Sequence, residues 1–422
     1  MIRRQAESAI DGGFAVAMLG ARMHYAVPLE LFRRGRLRLL FTDFFLPWRW
    51  SLWGTRALRH SPVSVVPRMV SRSAPLPLDR VRANYWLGLR YWWALRRVRS
   101  DEEHIAAYVA YAEKFLHWAS RGWSGEGQGV YVFNTAGLEL LEMAARSGKV
   151  GVLEQTSASH EVEVTLIQQA AARYPGWGTP PAIGPERAAY MAREREEWQR
   201  ASCIVCPSGF VKRSLTECGV PEDKLATVPY GVTVGAPRGV GLARRRRRPP
   251  RALFVGHVSL RKGAPLLYEA ARRLKGAPVE FRAVGRLAVT EYGQRRLADF
   301  VDLIGPVARP RVWDEYLAAD LFVFPSFCEG SATVVYEALA AGLPVVTTRN
   351  AGSVVRDGVD GFVVEAGDEG LFVERIREIA ENDELREWMA GNALARALEF
   401  TQERYGDRLI AALSRCTGDR CS

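Results

Sequence analysis

No apolar run in these 422 residues approaches the ~18 positions that a membrane-spanning helix requires, so no helical span is expected. The apolar stretch from Phe14 to Gly20 is too short for the core of a secretion signal and is followed by Arg22. Cysteine is sparse, six in all and scattered, which points to a reduced, cytoplasmic protein rather than a disulfide scaffold. Cys203 and Cys206 form a CxxC, but no second pair stands at zinc spacing, and the strand-like run SCIVCPS makes them buried thiols in expectation. Lysine is absent from residues 1–100 and acids are few there. Eighteen arginines stand against five Asp or Glu, 18 − 5 = +13 within a total of +11, so the other 322 residues sum to −2. Arginine interleaved with Trp48, Trp50, Trp53, Trp86, Trp92 and Trp93 suits an anionic membrane surface, or a polyanion with stackable rings. A solvated basic face over an aromatic core is the plainer alternative. What remains is an ordinary globular balance, 48% hydrophobic and 25% charged, in a chain about right for two or three domains.

The densest pattern runs from Leu321 to Val346, LFVFPSFCEGSATVVYEALAAGLPVV. Leu321 to Phe324 reads as a buried strand, ended by Pro325-Ser326. A loop from Phe327 to Ala332 follows, then a helix from Thr333 to Ala341, stopped by Gly342 and Pro344, and a strand from Val345. This is a βα unit of a parallel sheet, with its loop at the carboxyl end of a strand, where open α/β sheets bind ligands. Free N–H groups of Ser331 to Val334 would attract an anion such as phosphate. Glu329 sits in the loop and Glu337 about one turn into the helix. Carboxylates beside phosphate are repelled by it, so both are expected to accept hydrogen bonds from hydroxyls.

A second strand–loop–helix, ALFVGHVSLRKG, has its strand at Leu253–Val255, Gly256 opening the loop, and Arg261-Lys262 ahead of a helix from Ala264. Cations at a helix N-terminus oppose its dipole and therefore want an anion. Strands recur at Val279–Val284, Val301–Ile304, Val345–Thr347 and Phe362–Val364, an alternation that predicts a parallel, Rossmann-like sheet. Helices Leu371–Glu381, Asp383–Glu399 and Thr401–Ser414 close the chain. In the first half, Phe14–Leu19 reads as a strand, Met23–Arg34 as a helix, Val130–Phe133 and Val150–Leu153 as strands, and Leu78–Val98 and Ile105–Trp118 as helical. Gly231–Pro250, with Arg244–Arg248 and two prolines, reads as a solvated linker.

The glutamate pair, with EG before the helix and EALAAGLPVV after it, closely resembles the signature of retaining glycosyltransferase family 4, which has the GT-B fold. Gly330, Ala338, Gly342 and Pro344 stand in that family's places, and Lys262-Gly263 match its phosphate loop. The resemblance covers roughly 200–415 well and the first domain loosely. It implies an α/β fold of two Rossmann-like domains facing across a cleft, an acceptor-side domain over 1–230, a linker over 231–250 and a nucleotide-sugar domain over 251–400. The segment 401–422 would cross back to the first domain. The implied reaction is transfer of a hexose-type sugar from a nucleotide-diphosphate sugar to a saccharide or lipid-linked acceptor, with retention. Arg261 and Lys262 would meet the diphosphate, Glu329 the sugar hydroxyls and Glu337 the ribose. Gly256, Gly330, Ser331, Ala332 and Thr333 would line the donor, with Val307 at the base. No Asp-x-Asp occurs, so no metal and no other cofactor is expected.

Several places depart from the pattern. GARMHYAV replaces the double glycine after the first strand, leaving Gly20 and His24 as acceptor-side candidates. His257 replaces an arginine, a charge that Arg261 could supply. Gln155 stands where the family often has a histidine, with His160 five residues on. Two alternatives therefore stay open: a catalytically impaired relative that binds nucleotide or glycan, and a GT-B nucleotide-sugar epimerase. Nucleic acid is not an expected partner; the inner membrane face is.

Overall fold

The computed structural model of the chain describes residues 13–48, 72–233 and 249–418. Trp50, Trp53 and the Arg244–Arg248 run lie outside the described residues. Short β-branched and aromatic runs form two parallel sheets. The first contains β1 (Phe14–Met18), β2 (Leu37–Thr42), β3 (Val81–Ala83), β4 (Gly129–Phe133), β5 (Val150–Glu154), β6 (Cys203–Cys206) and β7 (Leu225–Thr227), in the order β3-β2-β1-β4-β5-β6-β7. The second contains β8 (Arg251–Val255), β9 (Glu280–Val284), β10 (Val301–Gly305), β11 (Leu321–Phe324), β12 (Val345–Thr348) and β13 (Gly361–Val364), in the order β10-β9-β8-β11-β12-β13. Every pairing within them is parallel. Burial on both faces explains why β1, β8 and β11 are apolar at nearly every position rather than alternating.

In each sheet the strand order reverses beside the strand that comes first in the chain, β1 in the first and β8 in the second, and the loops after those strands face each other. A cleft of about 1010 Å³ lies there, lined from the first sheet's side by Ala21, Met23 and His24 and from the second's by Val255, Val307 and Thr333. The last helix, Gln402–Thr417, returns to the first half. Gln402 donates to the Gly231 carbonyl at 2.9 Å, and Arg34 reaches the Asp407 carboxylate at 2.7 Å.

Three expectations are corrected here. The stretch Leu78–Val98 is not one helix. Val81–Ala83 pairs along the sheet edge with Leu40–Thr42, and Asn84 then caps a new helix, Tyr85–Leu95, by accepting the Leu87 N–H at 3.1 Å. The helix after β1 starts at Ala26, not Met23, because Met23, His24 and Tyr25 all adopt left-handed backbone, with φ of 49°, 52° and 61°. Each such non-glycine residue costs about 1–2 kcal/mol. The buried Tyr25 ring, whose hydroxyl donates to the Phe44 carbonyl at 2.6 Å, helps to hold the turn. Cys203 is not a free thiol: it is bonded to Cys416 of the last helix, 213 positions away, while Cys206 is a buried thiol. Only the return of that helix brings the two cysteines together.

Candidate active site

The donor-side half of the cleft is built from two loops stitched to each other. Gly263, at φ +77°, lies so close to the loop after β11 that a Cβ there would sit 1.9 Å from the Pro325 carbonyl oxygen. The Arg261 carbonyl accepts from the Phe327 N–H at 2.9 Å, and Arg261 Nε donates to the Cys328 carbonyl at 3.0 Å. This stitching fixes Arg261 and Lys262 against Glu329. The Lys262 ammonium is bonded to Glu329 Oε1, and the Arg261 guanidinium stands 3.2 Å from the same oxygen. Burial lowers the Lys262 pKa, an effect that the Glu329 carboxylate opposes. Arg261 also meets Glu163, on the His160–Arg173 helix of the first half, at 3.2 Å. Two cations and two carboxylates thus form one electrically balanced cluster between the two halves.

The helix that follows, Thr333–Ala340, has no side-chain cap at its start. The expectation of four free N–H groups over Ser331 to Val334 is corrected at one of them: the Ala332 N–H donates to the Ala351 carbonyl at 3.1 Å. Ser331 is buried, and its hydroxyl is engaged with Tyr336 at 2.9 Å and the Gly352 carbonyl at 3.2 Å, so it shapes the loop rather than facing the cleft. Thr333 and Glu337 line the cleft. Tyr316 donates to Glu337 Oε2 at 3.1 Å, and Arg309 lies 3.9 Å from the other oxygen. Gly256, at φ +138°, turns the chain out of β8 with its N–H on the Val284 carbonyl, and His257 beside it is exposed.

On the other side, Gly20 has open space around its Cα, yet its N–H is committed to Asp43 Oδ1 at 2.9 Å, so it offers no donor to a ligand. His24 points across the cleft and meets the Arg309 guanidinium, and burial together with that positive charge lowers its pKa. Gln155 is corrected outright as an acceptor-side residue. It is fully buried, its amide donates to Glu194 at 2.7 Å, and its carbonyl accepts from Trp198 Nε1 at 3.0 Å. With both ends paired it braces the Pro185–Arg200 helix and does not line the cleft. His160 is likewise held inside the first half, its Nε2 2.9 Å from Arg187.

The sequence reading missed Glu163, Arg309 and Thr156. Arg309 carried a legible signal, a cation in the first turn of a helix, Arg309–Leu317, the same feature that marked Lys262. Nothing in the spacing marks Glu163 or Thr156. The Thr156 backbone nevertheless abuts Gly330, where an added Cβ would stand 1.9 Å from its carbonyl oxygen.

Residues 243–396 match the family model "Glycosyl transferases group 1". The D-inositol 3-phosphate glycosyltransferase of Geodermatophilus obscurus is 31% identical over 258 residues, 55% of this chain and 57% of that protein. The chain thus matches little more than half the length of this curated relative. Among solved structures, the Anabaena protein HepE in complex with UDP and glucose is 16% identical with a TM-score of 0.58, covering 95% of this chain and 99% of the other. An alpha,alpha-trehalose-phosphate synthase (UDP-forming) from Burkholderia vietnamiensis is 12% identical with a TM-score of 0.62, covering 97% and 99%. At these identities the structural likeness establishes the fold, and it is GT-B: two Rossmann-like domains with helices at the C-terminus.

Proposed function

We propose, from the match of residues 243–396 to glycosyl transferases of group 1, that this chain moves a hexose-type sugar from a nucleoside diphosphate to an acceptor hydroxyl with retention. The observation that carries the reading is the convergence of Arg261 and Lys262 on Glu329, beside the uncapped start of the Thr333–Ala340 helix. In the reaction the bond from the sugar C1 to the diphosphate oxygen breaks, and the acceptor oxygen bonds to C1. The acceptor proton passes to a diphosphate oxygen. Negative charge grows on the leaving group as the sugar becomes oxocarbenium-like, so cations at the phosphates stabilise the transition state more than the ground state.

Glu337, on the cleft wall, takes the ribose hydroxyls, and Val307 edges the base. Glu329 takes the sugar hydroxyls, which requires it to leave Lys262 as the diphosphate arrives. In that exchange the incoming phosphates replace the carboxylate against the two cations. UDP is the donor nucleotide to test first, since HepE was solved with it. Release of UDP from UDP-sugars, followed by NMR of the product's anomeric proton, tests the reading; inverted product would refute retention. The same assay separates it from a binding-only relative, which would hold nucleotide without turnover, and from an epimerase, which would return a nucleotide sugar.

Two further outcomes are expected. The charge of the leaving group is met by Arg261, Lys262 and the helix start, so turnover should survive EDTA; loss restored by Mg²⁺ would overturn the metal-free reading. Gly330→Ala should hold the halves apart at Thr156, where no room exists for a methyl group. A displacement of about 1 Å costs roughly 10²-fold in rate. The variant should lose about that much kcat/KM together with a lower Tm, since the clash is with backbone, and wild-type kinetics would show that the halves need not meet there.

A further inference from the structure

We infer that the Tyr85–Leu95 helix is an interfacial element that seats the first domain on an anionic lipid bilayer. The helix reads YWLGLRYWWAL, and none of its side chains is fully buried. One face is anchored: Leu87 and Tyr91 pack on the first domain's core, with the Tyr91 ring stacked 3.9 Å from Tyr111. The opposite face presents Trp86, Leu89 and Trp93, at i, i+3 and i+7, which are 79%, 42% and 58% exposed. Leu78, also exposed, lies a few residues before the helix, and Tyr85, its first residue, is exposed as well. A continuous apolar face of this kind, rather than scattered single residues, marks an interaction surface.

The charges around it select the partner. From Ala83 to Ser100 the chain carries Arg90, Arg96, Arg97 and Arg99 and no acid. Arg96 lies over the Trp92 ring, 3.8 Å from its centroid, and Arg97 lies 5.3 Å from that of Trp93. Guanidinium groups held at ring level fit the boundary between acyl chains and headgroups, where tryptophan and arginine both settle. A second copy docking through the same face about a two-fold axis would set these arginines against themselves, whereas an anionic leaflet supplies the opposite charge. The surface also connects to the cleft. Gly88 packs against Asp43, leaving only 3.0 Å between an added Cβ and the Asp43 carbonyl oxygen, and the Asp43 carboxylate holds the Gly20 N–H beside the cleft. On the proposed activity, docking would present a lipid-borne acceptor to the open side of the first domain. Binding to lipid is measured without turnover, so the two readings fail separately.

The test is co-sedimentation of the full chain with vesicles of phosphatidylcholine mixed with phosphatidylglycerol, against phosphatidylcholine alone. Wild type should sediment with the anionic vesicles only, and about 1 M salt should release it, since the screening length falls to ~3 Å. Trp86→Ser/Trp93→Ser should weaken binding at least about tenfold, and Arg96→Glu/Arg97→Glu by at least roughly fivefold for each arginine lost. Circular dichroism and Tm confirm folding, and the arginine pair is the independent check should the tryptophan pair misfold. Absence of wild-type binding at low salt would overturn the inference, as would variants that bind like wild type. So would self-association abolished by Trp86→Ser/Trp93→Ser, which would assign the face to a second copy.

Discussion

Lys262→Ala is expected to lower sugar transfer by two to three powers of ten while leaving the fold intact. The magnitude is that of removing one preorganised group aimed at developing charge, about 3–4 kcal/mol. The Lys262 side chain is 21% exposed, and its ammonium is held between Glu329 and the Phe324 ring, 5.4 Å from the centroid. Its described charge-dependent contacts are Glu329 and the Phe324 ring, and Arg261 still faces Glu329 once the lysine is gone, so Tm should change little. The structure sharpens the expectation in one respect. Removing Lys262 leaves Glu329 facing Arg261 alone, so the loss should fall in kcat more than in KM, because the guanidinium still attracts the diphosphate. Arg261→Ala should be no milder, since it also opens the Glu163 contact that joins the two halves. Unchanged turnover in Lys262→Ala would show that the lysine only neutralises Glu329.

The second large effect divides the two glutamates. Glu329→Gln should cut transfer by orders of magnitude while sparing or tightening the affinity for free nucleoside diphosphate. In the structure Glu329 competes with phosphate for Lys262 and Arg261. At roughly 4 Å and an effective dielectric of about 20, one such pair is worth about 4 kcal/mol before desolvation, so removing the competitor frees both cations. Glu337→Gln should act oppositely, weakening nucleoside diphosphate binding, because its proposed partner is the ribose. Its carboxylate is already aligned by the Tyr316 hydroxyl. Calorimetric titration with UDP separates the two. Equal loss of UDP affinity in both variants would contradict the division, and a gain in Glu337→Gln would reverse it.

Local pattern was enough to locate the elements of the second half. Leu321–Phe324, Thr333–Ala340 and Val345–Thr348 fall where apolar runs, Pro325 and Gly342 put them, because strand, turn and helix stop are each decided within a few residues. The Cys203–Cys206 strand was legible in the same way. The signal failed where a long-range contact outweighs local preference. Val81–Ala83 became an edge strand because Leu40–Thr42 offered unpaired backbone. Met23–Tyr25 turned left-handed against their own propensity, where a buried ring and the cleft constrain them. Gln155 looked available at a strand end, and only the Pro185–Arg200 helix lying over it, with Glu194 and Trp198, takes both ends of its amide. By itself the sequence determined which residues could form strands, turns and charged helix starts, since those properties belong to neighbours along the chain. Which of them meet was decided by tertiary structure alone. Glu163 reaches Arg261, His24 reaches Arg309 and Cys203 reaches Cys416 only because two sheets face across one cleft and the last helix returns to the first. No periodicity along a chain encodes a contact between residues separated by 98, 285 or 213 positions, because such contacts follow from how whole sheets pack.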